Sequence, residues 1–106
     1  MIDLDEKHLA EVLAILSEHV PECEVRAFGS RVGGNAQRYS DLDLALVGQE
    51  KLDWRRLEGL KDAFAESDLP IMVDVLDWHA ISPEFRGVIE RRYAVVRKPL
   101  PGVTKI

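Results

Sequence analysis

The sequence predicts an α/β (α+β) protein in which helices pack on a small mixed β-sheet. Apolar residues recur at helical spacing in some segments, short apolar runs typical of buried strands lie between them, and turn-forming residues separate the two. The predicted order is αβ(loop)βαβαβ, which places a layer of helices against the sheet.

The first half of the chain supplies a helix, a strand and a polar connection. Asp5 is suited to cap a helix that ends at Pro21, because apolar residues repeat along one face: Leu9, Val12, Leu13, Leu16 and Val20. Residues 24–28 then form a predicted strand that runs into Gly29-Ser30. Residues 30–40 hold Gly, Asn and Ser and are predicted to be a loop or a short helix.

The second half alternates strands and helices. Residues 41–47 begin polar and become wholly apolar, as a central strand entered from a polar end does. A helix is predicted from its cap Asp53 to Glu66, followed by a strand at 71–76. This helix is expected to bury Trp54, Leu57, Leu60 and Phe64. Ser82-Pro83 begins a helix that ends near Arg92, and 94–97 is a short edge strand.

Length and composition exclude several classes of protein. The chain has 106 residues, so we expect one domain over 1–106. With 19 Asp and Glu against 14 Lys and Arg, its net charge of −5 disfavours general nucleic-acid binding. No apolar run approaches the ~20 residues of a membrane span, and the acidic N-terminus lacks a signal-peptide pattern. Its single cysteine, Cys23, excludes an internal disulfide. A cytoplasmic protein is therefore expected.

The most informative residues are three aspartates. Asp41 and Asp43 would share one face of a strand, about 6.6 Å apart along it, and two carboxylates this close require a positive charge between them. Asp74 interrupts the next strand, and it would join them if the two strands are neighbours. Oxygen ligands favour Mg²⁺ or Mn²⁺, and such a cluster can hold two ions for phosphoryl or nucleotidyl transfer. Alternatively, Asp41 only begins a strand and Asp74 pairs with an arginine.

The segment before these aspartates is suited to bind phosphate. Gly29 follows a strand directly and lets backbone N–H groups approach a phosphate closely. The Ser30 hydroxyl can donate to a phosphate oxygen, and Arg31 can make a charge-assisted contact. Gly-Ser-Arg alone is most often a turn, but it becomes specific when Ser40-Asp41-Leu42-Asp43 follows ten residues later.

Residues 29–44, G-S-R-V-G-G-N-A-Q-R-Y-S-D-L-D-L, resemble the signature of the DNA polymerase beta-like nucleotidyltransferase superfamily. That signature is Gly-Ser, a spacer, and Asp-x-Asp. At this length the chain looks most like the minimal nucleotidyltransferases, which are encoded beside HEPN ribonuclease toxins and form toxin–antitoxin pairs with them. The resemblance extends to Asp74 as a third carboxylate and, more weakly, to the segment 81–97.

The resemblance implies a nucleotidyltransferase fold and a Mg²⁺-dependent transfer of AMP from ATP. Asp41, Asp43 and Asp74 would be the catalytic residues and the ligands of two Mg²⁺ ions, with Mn²⁺ as a possible substitute. The triphosphate would be bound by Gly29, Ser30, Arg31 and Ser40. The acceptor would be a tyrosine of a partner HEPN toxin, which forms a hetero-oligomer with the chain and is neutralised as a result.

One position departs from this pattern, and it leaves an alternative open. Family members often carry a second arginine where this chain has Gly33, so one cation for the triphosphate is missing. The alternative is a non-catalytic antitoxin that neutralises its partner by occlusion. Transfer to a small molecule ranks last, because the chain is too short to enclose such a substrate. Asp77 is expected to be a turn or cap residue, since its odd spacing from Asp74 places it on the other face.

Overall fold

The computed structural model describes residues 2–34, 36–37 and 40–102. Asn35, Arg38 and Tyr39 of the predicted 30–40 connection therefore lie outside the described residues. The elements, in chain order, are α1 (Glu6–His19), β1 (Glu24–Phe28), α2 (Ser30–Gly33), β2 (Leu42–Val47), α3 (Trp54–Ala65), β3 (Val73–Asp77), a 3₁₀ turn (Trp78–Ala80), α4 (Pro83–Arg91) and β4 (Ala94–Arg97).

The three longer helices begin at the caps that the sequence predicts. The Asp5 carboxylate accepts a hydrogen bond from the Lys7 N–H at 2.9 Å, and Asp53 accepts one from Arg55 at 2.8 Å. The Ser82 hydroxyl accepts one from the Phe85 N–H at 3.1 Å. Each cap satisfies a backbone donor that has no partner inside its own helix.

The four strands form one mixed sheet in the order β3-β2-β1-β4. Strand β1 pairs antiparallel with β2 and with β4, whereas β2 and β3 are parallel. A parallel pair requires a crossover connection, and α3 provides it. The predicted mixed sheet with β4 as an edge strand is confirmed, and the two parallel strands begin at the same end of the sheet.

The main core lies between one face of this sheet and helices α1 and α3. The alternate residues of β1 and β2 that point to this face are fully buried, as are the inward residues of α1 and α3. The core members with no more than 1 % exposure are Val12, Leu16, Val20, Cys23, Val25, Ala27, Leu42, Leu44, Leu46 and Leu60. No helix of the described residues is long and apolar enough to cross a membrane.

The other face of the sheet is covered by the 3₁₀ turn and by α4. On this face the Phe28 ring meets the Phe85 ring of α4 edge to face, with the ring centres 5.9 Å apart. Ala45 and Ile89 are also buried, although neither belongs to the main core cluster. Helices therefore lie on both faces of the sheet, and the second face is the one that carries Phe28 and Asp43.

Three details of the sequence prediction are wrong. Trp54 was expected in the core, but 68 % of it is exposed, because it is the first residue of α3 and lies beyond the apolar stripe of Leu57, Leu60 and Phe64. Strand β3 begins at Val73, two residues later than predicted, although the Met72 carbonyl already accepts a hydrogen bond from Leu42. Strand β2 likewise starts after Asp41.

Replacing Leu44 by Ala tests the importance of the central strand. Leu44 is fully buried in β2, so its truncation removes apolar contacts and leaves a cavity. We expect the free energy of unfolding in urea to fall by about 3 kcal/mol. The exposed Val88→Ala is the control and should change it by less than about 0.5 kcal/mol. Equal losses for the two variants would contradict this description of the core.

Candidate active site

The parallel pairing of β2 and β3 brings two of the predicted carboxylates side by side. Asp43 is the register partner of Asp74, and neighbouring strands are about 4.8 Å apart. Asp41 lies two residues before Asp43, just ahead of β2. Asp43 is half-buried, whereas Asp41 and Asp74 are exposed. The strand arrangement that the sequence hypothesis required is therefore present.

The three aspartates interact electrostatically. Burial raises the pKa of the Asp43 carboxyl, and the negative charges of Asp74 and then Asp41 raise it further. Each of these causes disfavours the ionised form of Asp43, because burial removes water from the carboxylate and the two neighbouring aspartates add negative charge. A cation bound at this point would reverse the effect, because it would stabilise the ionised carboxylates.

The chemistry of these side chains fits a hard divalent cation such as Mg²⁺, since every candidate ligand is a carboxylate oxygen. Among residues 2–34, 36–37 and 40–102, however, no three Asp, Glu, His or Cys side chains converge closely enough to form a ready-made metal site. The aspartates thus lie at the same end of two neighbouring strands, but in the described residues they do not form a complete coordination shell. Their roles as metal ligands stay predictions.

Gly29 contacts Asp43, and the contact explains why glycine is present. Its backbone has φ +81° and ψ −158°, a combination that essentially only glycine adopts. A Cβ atom at this position would lie 2.5 Å from Oδ2 of Asp43. The Gly29 carbonyl accepts hydrogen bonds from the N–H groups of Val32 and Gly33, so the turn leads straight into α2. Ser30 is the first residue of α2 and is partly exposed.

Arg31 lies inside the protein, with 7 % of its surface exposed. Its guanidinium donates to the carbonyl oxygens of Ser40 (Nε, 2.9 Å) and Asp3 (Nη1, 2.7 Å), and more weakly to that of Gln37 (Nη2, 3.5 Å). The Ser40 hydroxyl in turn accepts a hydrogen bond from the Gln37 N–H at 2.7 Å. The predicted phosphate contacts of Arg31 and Ser40 stay untested, and both side chains have partners within the fold.

Arg92 brings a positive charge to the end of α2. The sequence did not predict this contact between Arg92 and α2. Its Nη1 donates to the Gly33 carbonyl at 3.1 Å, and the side chain is exposed. Gly33 is the position at which the sequence lacks an arginine. The two residues are 59 positions apart. No local pattern could have indicated the contact, which depends on where α4 ends above the sheet.

A cluster of aromatic and arginine side chains extends along the second face from the aspartates. The Arg26 guanidinium lies over the rings of Trp78 and Tyr93, at 5.1 and 4.7 Å from their centres. Arg86 lies 5.6 Å from the Trp78 ring centre. These cation–π contacts hold the 3₁₀ turn and the start of β4 against β1. Trp78 thus packs within the fold.

Asp77 is a structural residue, as predicted. It is 3 % exposed, and its carboxylate accepts hydrogen bonds from the N–H groups of Leu52 and His79. His79 also contacts the Gly48 carbonyl through Nε2 at 2.7 Å. Asp77 therefore caps the 3₁₀ turn and fixes the connection after β2, at the opposite end of the strands from Asp43 and Asp74.

A cavity of about 620 Å³ lies at that opposite end, and Val47, Leu52 and Leu100 contribute to its lining. Val47 is four residues from Asp43 along β2, or roughly 13 Å. Several charged groups at the cavity bind each other, including Arg26 with Glu24 and Arg56 with Glu22. The cavity is therefore separate from the aspartates.

Replacing Gly29 by Ala should lower both stability and nucleotide binding. The added Cβ requires a strained backbone and collides with the Asp43 carboxylate, which we expect to reduce the free energy of unfolding by about 1–3 kcal/mol. Gly87→Ala is the matched control, because Gly87 is helical and its Cβ would meet open space. That change should stabilise the protein by about 0.5–1 kcal/mol. Chemical denaturation measures the free energy of unfolding of both variants. Stabilisation by Gly29→Ala would contradict the geometry.

Replacing Asp43 by Asn should raise the melting temperature of the metal-free protein at neutral pH. The pKa of Asp43 is raised in the folded state, so the folded protein binds more protons than the unfolded chain, and stability falls as pH rises through that pKa. An Asn side chain does not ionise, so the Asp43→Asn variant does not lose this stability as the pH rises. The gain should shrink as the pH is lowered and Asp43 is protonated. Thermal melts in a chelator across this pH range measure the effect.

The exposed Glu18→Gln in the last turn of α1 is the control for that experiment, because α1 ends beside the start of β1, where Glu24 pairs with Val47 at the opposite end of the sheet from Asp43. It should leave the pH dependence of the melting temperature unchanged. A lower melting temperature for Asp43→Asn at neutral pH would show that the carboxylate stabilises the metal-free fold and would contradict the prediction.

Comparison with known proteins agrees with this arrangement. The family described as Polymerase beta, Nucleotidyltransferase matches residues 11–97. A Haemophilus influenzae protein named probable protein adenylyltransferase MntA is 47 % identical over 104 residues, which cover 98 % of this chain and 91 % of that protein.

Solved structures with a similar fold are toxin–antitoxin complexes. The structure of a mutant MntA–HpeT complex has a TM-score of 0.71 and 21 % identity, over 85 % of this chain and 73 % of the other. A toxin–antitoxin structure with AMP-PNP has a TM-score of 0.63, 23 % identity and the same coverage. A tri-AMPylated Shewanella oneidensis HEPN toxin with its MNT antitoxin has a TM-score of 0.59 and 20 % identity, over 90 % and 73 %.

These structures show a shared fold. Because the family match spans most of the chain and the Haemophilus relative is 47 % identical over nearly all of it, the chain belongs to the polymerase beta nucleotidyltransferase family.

Proposed function

We propose that this protein is a Mg²⁺-dependent protein adenylyltransferase that transfers AMP from ATP to a hydroxyl of a HEPN toxin and so acts as its antitoxin. One observation carries the proposal. Asp43 and Asp74 lie side by side on neighbouring strands, Asp41 precedes β2, and the Asp43 carboxylate lies against Gly29. This arrangement occurs in a chain 47 % identical to a protein named as a probable adenylyltransferase.

We assign the three aspartates to hold two Mg²⁺ ions. When bound, Mg²⁺ neutralises charge on the triphosphate and on the leaving pyrophosphate. The pKa of Asp43, which burial and the neighbouring carboxylates raise, supports this assignment, because a bound cation would offset these causes by stabilising the ionised carboxylate. The exposed Gly29 backbone and the Ser30 hydroxyl would bind the triphosphate. Arg92, beside Gly33, is close enough to α2 to supply a cation there.

The reaction is a single displacement at the α-phosphorus. The acceptor hydroxyl oxygen forms a bond to this phosphorus, the bond to the bridging oxygen between the α- and β-phosphates breaks, and pyrophosphate leaves with the electron pair. Asp74 accepts the proton of the hydroxyl. It is suited to this role because it is exposed on an edge strand, where an incoming acceptor can reach it.

The partner assignment is supported by the relatives. Their structures contain toxin–antitoxin assemblies, and one contains an AMPylated HEPN toxin. The hydroxyl is expected to belong to a tyrosine of such a toxin. We place the pair in the cytoplasm, as a hetero-oligomer in which the 106-residue chain acts as one domain.

Transfer of label from α-labelled ATP tests the function. The wild-type protein, Mg²⁺ and a lysate of its host should give a discrete labelled protein with release of pyrophosphate. The Asp41→Asn, Asp43→Asn double variant should reduce labelling more than about 100-fold. Changing the groups that merely orient metal ligands already lowers metal affinity or activity 10–100-fold, and this variant changes the ligands themselves. Chelation of Mg²⁺ should abolish it.

The control removes two carboxylates elsewhere. Glu18→Gln with Glu58→Gln changes exposed groups in the last turn of α1 and the first half of α3, at the end of the sheet where Glu24 pairs with Val47, and should label normally. If the wild type labels no protein but still co-purifies with a neutralised partner, the occluding antitoxin is favoured instead. Full neutralisation by the double aspartate variant would lead to the same conclusion.

A further inference from the structure

Arg31 connects its own short helix α2 with two other backbone segments near the aspartates. Its guanidinium donates to the carbonyls of Asp3, Gln37 and Ser40, which belong to the segment before α1 and to the connection before β2. The Asp3 N–H donates back to the Arg31 carbonyl at 2.8 Å. A buried arginine makes such multiple contacts well, because its planar fork presents five N–H donors in fixed directions.

The contact with Ser40 is the one that bears on Asp41. The Ser40 carbonyl is part of the planar peptide that ends at the Asp41 nitrogen, so holding this oxygen also fixes the orientation of the following backbone. On the other side of Asp41, the Leu42 N–H donates to the Met72 carbonyl of the neighbouring strand at 2.9 Å. Asp41 thus lies between two anchored peptide groups.

The same contacts argue against the phosphate role that the sequence suggested for Arg31. If the guanidinium turned outward to reach a phosphate, it would break its hydrogen bonds to carbonyls at 2.7 and 2.9 Å and leave those acceptors without their partner. Leaving buried polar groups unsatisfied is costly. The 7 % exposure of the residue points the same way, because a phosphate ligand has to be accessible to the nucleotide.

We propose that Arg31 is a positioning residue that sets the backbone at Asp41, and hence the metal-binding geometry, by holding the Ser40 carbonyl. The proposal rests on the proposed function, because it gives Arg31 a part in the same reaction. Groups that orient metal ligands typically affect metal affinity or activity 10–100-fold when they are changed.

The test compares Arg31→Lys with Arg97→Lys. Arg97 is a matched control, since its Nη2 also donates to two backbone carbonyls, those of Val20 and Cys23, away from the aspartates. Lysine keeps the charge in both variants but lacks the planar fork. Both changes are expected to lower the melting temperature. Only Arg31→Lys should affect the aspartate site.

The first readout needs no metal. Hydrogen–deuterium exchange of the chelator-treated protein follows the amides of Ser40 and Leu42, which are bonded to the Gln37 and Met72 carbonyls. Arg31→Lys should speed their exchange, and Arg97→Lys should not. Equal protection of these amides in Arg31→Lys and wild type would overturn the proposal.

The second readout is the Mg²⁺ dependence of nucleotide binding, measured with a fluorescent non-hydrolysable ATP analogue. Arg31→Lys should raise the half-saturating Mg²⁺ concentration about 10-fold, while Arg97→Lys leaves it unchanged. Adding Arg31→Lys to an Asp41→Asn variant should raise this concentration little further, because the ligand that Arg31 positions is already lost. A phosphate ligand would instead weaken binding of the analogue at saturating Mg²⁺ without changing amide exchange, and that result would overturn the proposal.

If Arg31→Lys does not fold, Ser40→Ala tests the same segment. It removes the hydroxyl that accepts the Gln37 N–H and should likewise raise both the amide exchange and the Mg²⁺ requirement. No change in either would count against the proposal. If the wild type itself binds no nucleotide with Mg²⁺, the proposed function fails. If the wild type binds and Arg31→Lys behaves as Arg97→Lys does, only the role of Arg31 fails.

Discussion

The parallel pairing of β2 with β3 is the constraint on which the candidate site depends. Side chains of register partners lie about 4.8 Å apart on one face, so this pairing alone places Asp43 opposite Asp74. A shift of one residue in either strand would move one of the aspartates to the face that packs on α1 and α3. That face is filled with apolar side chains such as Leu42 and Leu44, and their burial sets the register.

The unfavourable free energy of forming the site is confined to a few residues of the fold. Asp43 is half-buried beside two like charges, and Gly29 holds a backbone conformation that other residues avoid. Both features oppose folding, and the well-packed core on the other face offsets them. Asp43 and Gly29 are in direct contact, since a side chain at Gly29 would collide with the carboxylate. Both features are in keeping with the nucleotide and metal binding proposed for this site.

Most of the fold could be predicted because its signals are local. Asp5, Asp53 and Ser82 cap helices within three residues of themselves, and the alternation in 41–47 marks a strand through its own residues. The burial of Trp54 was predicted wrongly, because helical periodicity does not indicate at which residue the buried stripe of a helix ends. The contacts of Arg31 with Asp3 and of Arg92 with Gly33 span 28 and 59 residues, and such contacts follow from the tertiary fold rather than from any local pattern.

The position of the site in the sheet bears on the kind of acceptor it can serve. Strand β3 is an edge strand, and Asp74 is exposed on it, so a hydroxyl can approach from the side without any element moving. Met72, which immediately precedes this strand, is 73 % exposed and adds an apolar surface at this edge. Within the described residues, the cavity of about 620 Å³ lies at the other end of the strands and does not enclose the aspartates. An exposed edge strand with an apolar side chain beside it is a surface against which a protein acceptor can pack. The geometry therefore favours a macromolecular acceptor on physical grounds alone.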